Sequence, residues 1–433
     1  MKKILITLFI SGLIRPLWGI KPQRDFVASP FEYGYKYSEF DVPVNDSEFV
    51  NIWYIPSNSS SEIPNFLILA GGDAGNKSYW IQYINFLHPL FNILLFDYRG
   101  FGKSNGSCKS ERDYLNDLEK VIEWTKLTFP NGRIYVGGYS LGSGISLVIL
   151  KERPRICGGI LISPILSKEA VDSLCNARGK GPSGDELLPI YDPIKIISSV
   201  KSPLLILTGL DPNHPREWAY KLAQKNRNTV VVDFDSLSPF YGIIAFKDTL
   251  QNIVRNVLFE GKIEESSILF RSSSSKLGLK YVYLNKAFEA YRAGNMEDYK
   301  IFLEKCIYED STDLLPYIYL YYFLASQKKQ KEALEILEKA CEECELRSYP
   351  LLFVGTIYME NNKWREAENV LLKSLMLNNW NSEIYVKLAQ VYLNLNLFEE
   401  ANFYLKQAEK VNPYNSQISQ LKEQLIKHVE SEN

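Results

Sequence analysis

Gly138-Tyr139-Ser140-Leu141-Gly142 sets a serine between two glycines, directly after the apolar run Ile134-Tyr135-Val136 and at the start of a helical pattern. The glycines permit a sharp strand-to-helix turn that a side chain would block, so the Ser140 hydroxyl is expected to stand exposed at the end of a sheet. The helix beginning at Leu141 would aim its first N–H groups at developing negative charge, which suits nucleophilic acyl transfer. A second chemical spacing is Cys341-x-x-Cys344. It falls on a predicted helix with no second cysteine pair and no histidine nearby, so the expectation there is small core residues rather than a zinc or redox site. No metal or cofactor is expected.

Ser140 needs a sheet to hold it, and the first part of the chain supplies one. Asn65–Ala70 is a continuous apolar run ending in Gly71-Gly72, Ile93–Phe96 ends in Asp97, and Gly159–Ile162 ends in Ser163-Pro164. Pro203–Leu207 ends in Thr208-Gly209, and Thr229–Val232 ends near Asp235. Runs apolar at every position are those of strands buried on both faces. Leu115, Leu118, Val121 and Ile122 follow the capping-type Ser110-x-x-Asp113 and mark a helix between strands. Strands alternating with helices predict a parallel sheet covered on both sides, with an antiparallel start from Phe40 to Tyr54 at one edge.

The polar run Arg271–Lys276 marks a boundary, and beyond it the pattern is helical only. Ala333, Ala367 and Ala401 recur every 34 residues, as do Leu337, Leu371 and Leu405, and Ala340, Ser374 and Ala408. Tyr321, Gly355 and Ala389 share one offset, and Ala287, Tyr299, Leu303 and Cys306 give a degenerate first unit. Small residues at those offsets let antiparallel helices approach, and the large ones fill the space between units. This resembles the tetratricopeptide repeat in length and in its pattern of small and large positions, with Pro413 where a repeat-ending proline belongs. The resemblance implies four repeats over 280–415, a capping helix and tail over 416–433 carrying Ile418, Leu421 and Leu425, and a protein or peptide partner.

The first part resembles the α/β-hydrolase superfamily, in particular its serine-aminopeptidase-like (S33) branch. The residues that carry this are the serine pentapeptide, Asp97-Tyr98-Arg99-Gly100-Phe101-Gly102-Lys103-Ser104, and Gly71-Gly72-Asp73-Ala74-Gly75-Asn76. The resemblance implies an α/β-hydrolase fold over 26–265 with a lid-like insert at about 166–201, a linker over 266–279, and a small ester, amide or acyl ligand. It implies an oxyanion hole from the N–H groups of Asp73 and Leu141, and an acid at Asp211. Asp97 and Arg99 are expected to fix their loop rather than to catalyse. The family's base lies in the loop after the last strand, but 234–242 holds no histidine. His88 belongs to the opposite end of the sheet and His428 to the C-terminal tail, which leaves His214, three residues past Asp211, as the candidate base. Two readings follow. One is a serine ester or peptide hydrolase using Ser140, Asp211 and His214; the other is an inactive hydrolase domain serving as a binding or scaffold module.

Composition narrows the setting. With 49 basic and 51 acidic residues and no basic tract, nucleic acid is not an expected partner. Lys2 and Lys3 precede an apolar run from Ile4 to Ile14 that Arg15 closes. That order is the layout of a secretory signal over 1–19, or of an uncleaved anchor, so an exported protein is expected: periplasmic, secreted or membrane-associated.

Overall fold

The computed structural model describes residues 21–59, 61–72, 74–177, 192–263, 265–271 and 275–432. The expected export signal (1–19), Asp73, and 178–191 of the expected lid lie outside the described residues.

Alternate residues of the strand Asn65–Ala70 point to opposite faces of a sheet, and both faces are covered. Ile68 and Ala70 join one core, with Leu115, Leu118 and Ile122; Leu67 and Leu69 join the other, with Ile243, Leu250 and Val254. That double burial is why the strand is apolar at every position from Phe66 to Ala70, and each such leucine or isoleucine contributes roughly 1.5–3 kcal/mol. Among the described residues, nine strands form the sheet: β1 (Ser38–Pro43), β2 (Phe49–Ile55), β3 (Asn65–Ala70), β4 (Asn92–Phe96), β5 (Arg133–Ser140), β6 (Gly159–Pro164), β7 (Leu204–Gly209), β8 (Thr229–Phe234) and β9 (Ser267–Phe270). Their spatial order is β1-β2-β4-β3-β5-β6-β7-β8-β9. β2 runs antiparallel to β1 and β4, and the pairings from β4 onward are parallel. β9 corrects the expectation of a linker over 266–279. Its residues pair in register with β8, Val231 with Ser267 through Phe234 with Phe270. As a four-residue, half-exposed edge strand it carries little pattern of its own.

Among the described residues, the longer helices of this domain are α1 (Glu111–Thr128), α2 (Leu141–Glu152), α3 (Lys168–Ala177), α4 (Arg216–Ala223), α5 (Pro239–Ala245) and α6 (Lys247–Val254), with a short turn of helix at Pro193–Ile196. Ser110 and Asp113 form a reciprocal capping box at the start of α1.

The second domain consists of antiparallel helix pairs: α7 (Lys276–Arg292) with α8 (Met296–Glu309), α9 (Leu314–Ser326) with α10 (Gln330–Glu343), α11 (Ser348–Glu360) with α12 (Trp364–Leu377), and α13 (Ser382–Asn394) with α14 (Phe398–Val411). A last helix, α15 (Ser416–Glu432), covers the end with Ile418, Leu421 and Leu425. Ala333, Ala367 and Ala401 are fully buried, as are Leu337, Leu371 and Leu405. A Cβ on Gly355 would come within 2.6 Å of Leu371. The period also governs the turn inside each pair, where Gly294, Lys328, Asn362 and Asn396 all have positive φ (76°, 62°, 57° and 59°).

The two domains are locked together by the segment at the start of the first. The Asp25 carboxylate accepts from Ser382 N–H at 2.6 Å and from Asn412 Nδ2 at 2.8 Å. Glu32 accepts from Ser348 N–H at 2.7 Å and from Ser348 Oγ at 3.0 Å. Ser348 and Ser382 are the first residues of α11 and α13, equivalent positions one repeat apart. Two carboxylates of the first domain therefore sit at the N-termini of two successive repeats, where orphan N–H groups and the helix dipole favour negative charge. Between them the Phe26 carbonyl accepts from Asn378 and Asn381, and the Arg347 guanidinium lies 3.8 Å over the Tyr33 ring.

Candidate active site

Ser140 is the last residue of β5 and caps α2, with φ 54° and ψ −113°. A non-glycine residue holds that conformation only when its surroundings impose it, at a cost of about 1–3 kcal/mol. Here the neighbouring glycines impose it. A Cβ on Gly138 would lie 2.5 Å from the Gly142 carbonyl carbon and 2.7 Å from the Ala70 carbonyl oxygen, and one on Gly142 would collide with the carbonyl oxygens of Ala70 and Gly71. The turn is thus pressed against the end of β3. Leu141 opens α2 directly after Ser140, so its N–H has no acceptor within the helix. Asp73, the other expected oxyanion donor, lies outside the described residues.

The loop after β7 brings the other two expected residues to the serine. Asp211 Oδ1 accepts from Asn213 N–H at 2.9 Å, and the Asp211 carbonyl accepts from His214 N–H at 3.2 Å, a local turn that folds the loop back. Leu210 N–H donates to the Leu237 carbonyl at 2.7 Å and ties this loop to the one after β8. His214 Nδ1 lies 2.9 Å from Asp211 Oδ2, and His214 Nε2 lies 2.9 Å from Ser140 Oγ. An ionised carboxylate only accepts, so Nδ1 carries the proton and Nε2 is left to accept from the serine hydroxyl. Burial alone would raise the Asp211 pKa; the His214 charge and hydrogen bond, with the Asn213 N–H, outweigh it and hold the carboxyl below the usual range. His214 is 4% exposed, with the Tyr139 ring 5.3 Å away edge-on and Trp218 behind it.

Ser140 itself has no solvent-exposed surface, which corrects the expectation of an exposed hydroxyl. It borders a cavity of about 700 Å3 instead. The loop 234–242, where the family resemblance puts a histidine, presents Phe240, whose ring lies 5.0 Å from Tyr139 and 4.6 Å from Tyr83. His88 sits before β4, its Nε2 2.8 Å from the Pro56 carbonyl, at the opposite end of the strands from Ser140.

Asp97 and Arg99 hold loops in place. The buried Asp97 carboxylate accepts from Lys77 N–H and Lys77 Nζ, both at 2.6 Å, and so fixes the chain after the Gly71–Asn76 loop. Lys77 Nζ also lies 4.9 Å from the rings of Phe26 and Trp53. Arg99 pairs with Asp117 at 2.7 Å, Glu48 at 2.6 Å and Asp113 at 3.3 Å. Neither contacts the serine through these bonds. Sequence reasoning missed Asp25 and Glu32: Ser29-Pro30-Phe31-Glu32 has capping-box spacing, and Ser29 N–H donates to Glu32 at 2.7 Å, but nothing local marks either acid's contacts with the repeats.

Comparison with known proteins agrees with this division. Residues 85–180 match the family model "Serine aminopeptidase, S33", and residues 358–425 match that of the tetratricopeptide repeat. The uncharacterized protein Rv2307c of Mycobacterium tuberculosis is 28% identical over 214 residues, 47% of this chain and 74% of that protein. Lysophosphatidylserine lipase ABHD12 of Bos taurus is 33% identical over 109 residues, 24% of this chain and 26% of the relative. Among solved structures, the Pyrococcus furiosus esterase Pf2001 aligns with a TM-score of 0.45 at 19% identity, covering 55% of this chain and 100% of that one.

Proposed function

We propose that this chain, an α/β-hydrolase domain joined to tetratricopeptide repeats, is a serine hydrolase of esters or amides that works through Ser140. The observation that carries the reading is the continuous relay Asp211–His214–Ser140, with both links at 2.9 Å. Ser140 Oγ attacks the substrate carbonyl carbon while its proton passes to His214 Nε2. The negative charge on the carbonyl oxygen falls beside Leu141 N–H at the start of α2, and the Asp211 carboxylate stabilises the imidazolium. His214 then gives the proton to the leaving group as the carbon–heteroatom bond breaks. Water, deprotonated by the same nitrogen, hydrolyses the acyl-serine. Having acid and base on one loop accounts for the absence of a histidine from 234–242.

The covered hydroxyl favours a second reading, a closed binding module that retains the relay without turnover. Labelling with a fluorophosphonate separates the two. Ser140-dependent labelling that Ser140→Ala removes supports the hydrolase; well-folded protein that never labels supports the binding module. Two further features belong to the proposal. The basic-then-apolar N-terminus supports export, and the repeats support a protein or peptide partner.

A further inference from the structure

The cavity beside Ser140 does not end within the hydrolase domain. Its far side includes Tyr281, Leu284 and Phe288 from α7, Leu315 and Tyr319 from α9, and Tyr349 from α11, beside the charged Lys280, Asp310, Asp313 and Arg347. Tyr281, Leu284 and Phe288 are spaced three and four apart, so one face of α7 turns toward it. That face is held in place. Tyr281 stacks on Tyr241 of α5 with centroids 4.1 Å apart and planes 6° off parallel, and the Asp25 and Glu32 contacts fix the next repeats.

The charges around this far side are already satisfied. Lys280 Nζ pairs with Asp310 at 2.7 Å and Asp313 at 2.8 Å, and Arg347 pairs with Glu345 at 2.6 Å. Burial pushes the Tyr281 and Tyr319 phenols well above their ordinary pKa, so they stay neutral. Apart from these paired charges, the surface left to meet a ligand is aliphatic and aromatic with phenol edges. Such surface gains free energy from apolar area, and among the described residues no charge of this far side is left without an opposite partner to attract a charged group.

We infer that the first three repeats form the subsite for an apolar chain of the substrate, so that the protein takes esters or amides of elongated uncharged groups and the repeats set the length accepted. This rests on the hydrolase reading of Ser140, and the test keeps the two apart. With p-nitrophenyl esters from acetyl to palmitoyl, kcat/KM of the full-length protein should rise about fourfold per methylene until the cavity is filled. Leu315 is only partly buried, so Leu315→Trp adds volume toward the cavity. It should lower kcat/KM for the longest esters at least tenfold and leave the acetyl ester within twofold. Leu315→Asp should do the same through charge. The same variants made in the Ser140→Ala protein should weaken binding of dansylaminoundecanoic acid at least tenfold.

A flat chain-length profile in the parent protein, or variants whose profile superimposes on it, would overturn the subsite. If nothing is hydrolysed but the dansyl probe binds and Leu315→Asp weakens it, the hydrolase reading fails and the subsite stands. If there is no hydrolysis and the probe is not bound, or is bound equally by the variants, the subsite is rejected on its own terms.

Discussion

Replacing Asp25 and Glu32 together by alanine should weaken the docking of the repeats on the hydrolase domain while leaving each folded. Asp25→Ala removes two acceptor contacts to the repeats, from Ser382 N–H and Asn412 Nδ2, and Glu32→Ala removes two, from Ser348 N–H and Ser348 Oγ. Each loss combines the removal of a helix-terminal acceptor, about 0.5–2 kcal/mol, with hydrogen bonds to a charged group, about 1.5–3 kcal/mol, the two figures partly counting the same contacts. A value of roughly 2 kcal/mol per site is reasonable, and the sites meet different repeats, so about 4 kcal/mol is expected for the pair. That is on the order of a 10³-fold shift in the docking equilibrium. Tyr241 on Tyr281 and Arg347 over Tyr33 remain, so docking weakens rather than vanishes. Calorimetry should show the parent's coupled unfolding resolve into two transitions, and trypsin should cut faster after Arg271, between the sheet and α7. The exposed Asp46→Ala is the control. A double variant that melts in one transition at the parent temperature, with unchanged cleavage, would refute the idea that these two carboxylates hold the domains together.

Other outcomes follow from the same geometry. If Ser140 turns over substrate, His214→Ala should reduce kcat by on the order of 10⁶ and Asp211→Asn by on the order of 10⁴, measured by ester hydrolysis against active-site titration. Because the Asp211 carboxyl is held below its ordinary pKa, its contribution to stability is present above the usual aspartate range, about 3.9, and is lost as pH falls through the lowered value. The stability gap between parent and Asp211→Asn in urea unfolding should therefore narrow below about pH 4. Lys328 occupies a left-handed turn that Gly294 fills in the first repeat, so Lys328→Gly should stabilise the array by up to about 1 kcal/mol in the same assay.

What was readable in the chain followed short-range rules. The sheet could be read because its strands are apolar on both faces, and the serine turn because two glycines bracket it at a spacing that only close backbone contact explains. The repeats announced themselves through small residues at a fixed period; the left-handed positions share that period, but three of the four are lysine or asparagine and do not stand out. His214 was a remaining candidate rather than a positive reading. Its meeting with Ser140 depends on how a loop 74 residues away turns back, and that turn is made by Asp211 and Asn213 bonding locally. β9 escaped notice because its half-exposed residues alternate over only four positions. The docking acids were invisible for a different reason: a carboxylate that caps another domain's helix looks, in sequence, like any surface acid.

The position of His214 and the docking of the repeats are connected through one loop. On the proposed hydrolase reading, with Asp211 and His214 both after β7, the segment following β8 has no proton to handle. It is free to end in α5, whose Tyr241 stacks on Tyr281 and whose Ala245 carbonyl accepts from Ser275 Oγ at 3.1 Å just before α7. The same segment sends Phe240 toward Tyr139 and Tyr83 and so shapes the cavity floor. A histidine serving Ser140 from this loop would have to lie over the serine, in the space where the aromatic contacts to the repeats now begin. On the proposed hydrolase reading, a base one loop earlier leaves an entire edge of the site to be built by another domain, and the helices that build it are those whose period was set by packing against one another.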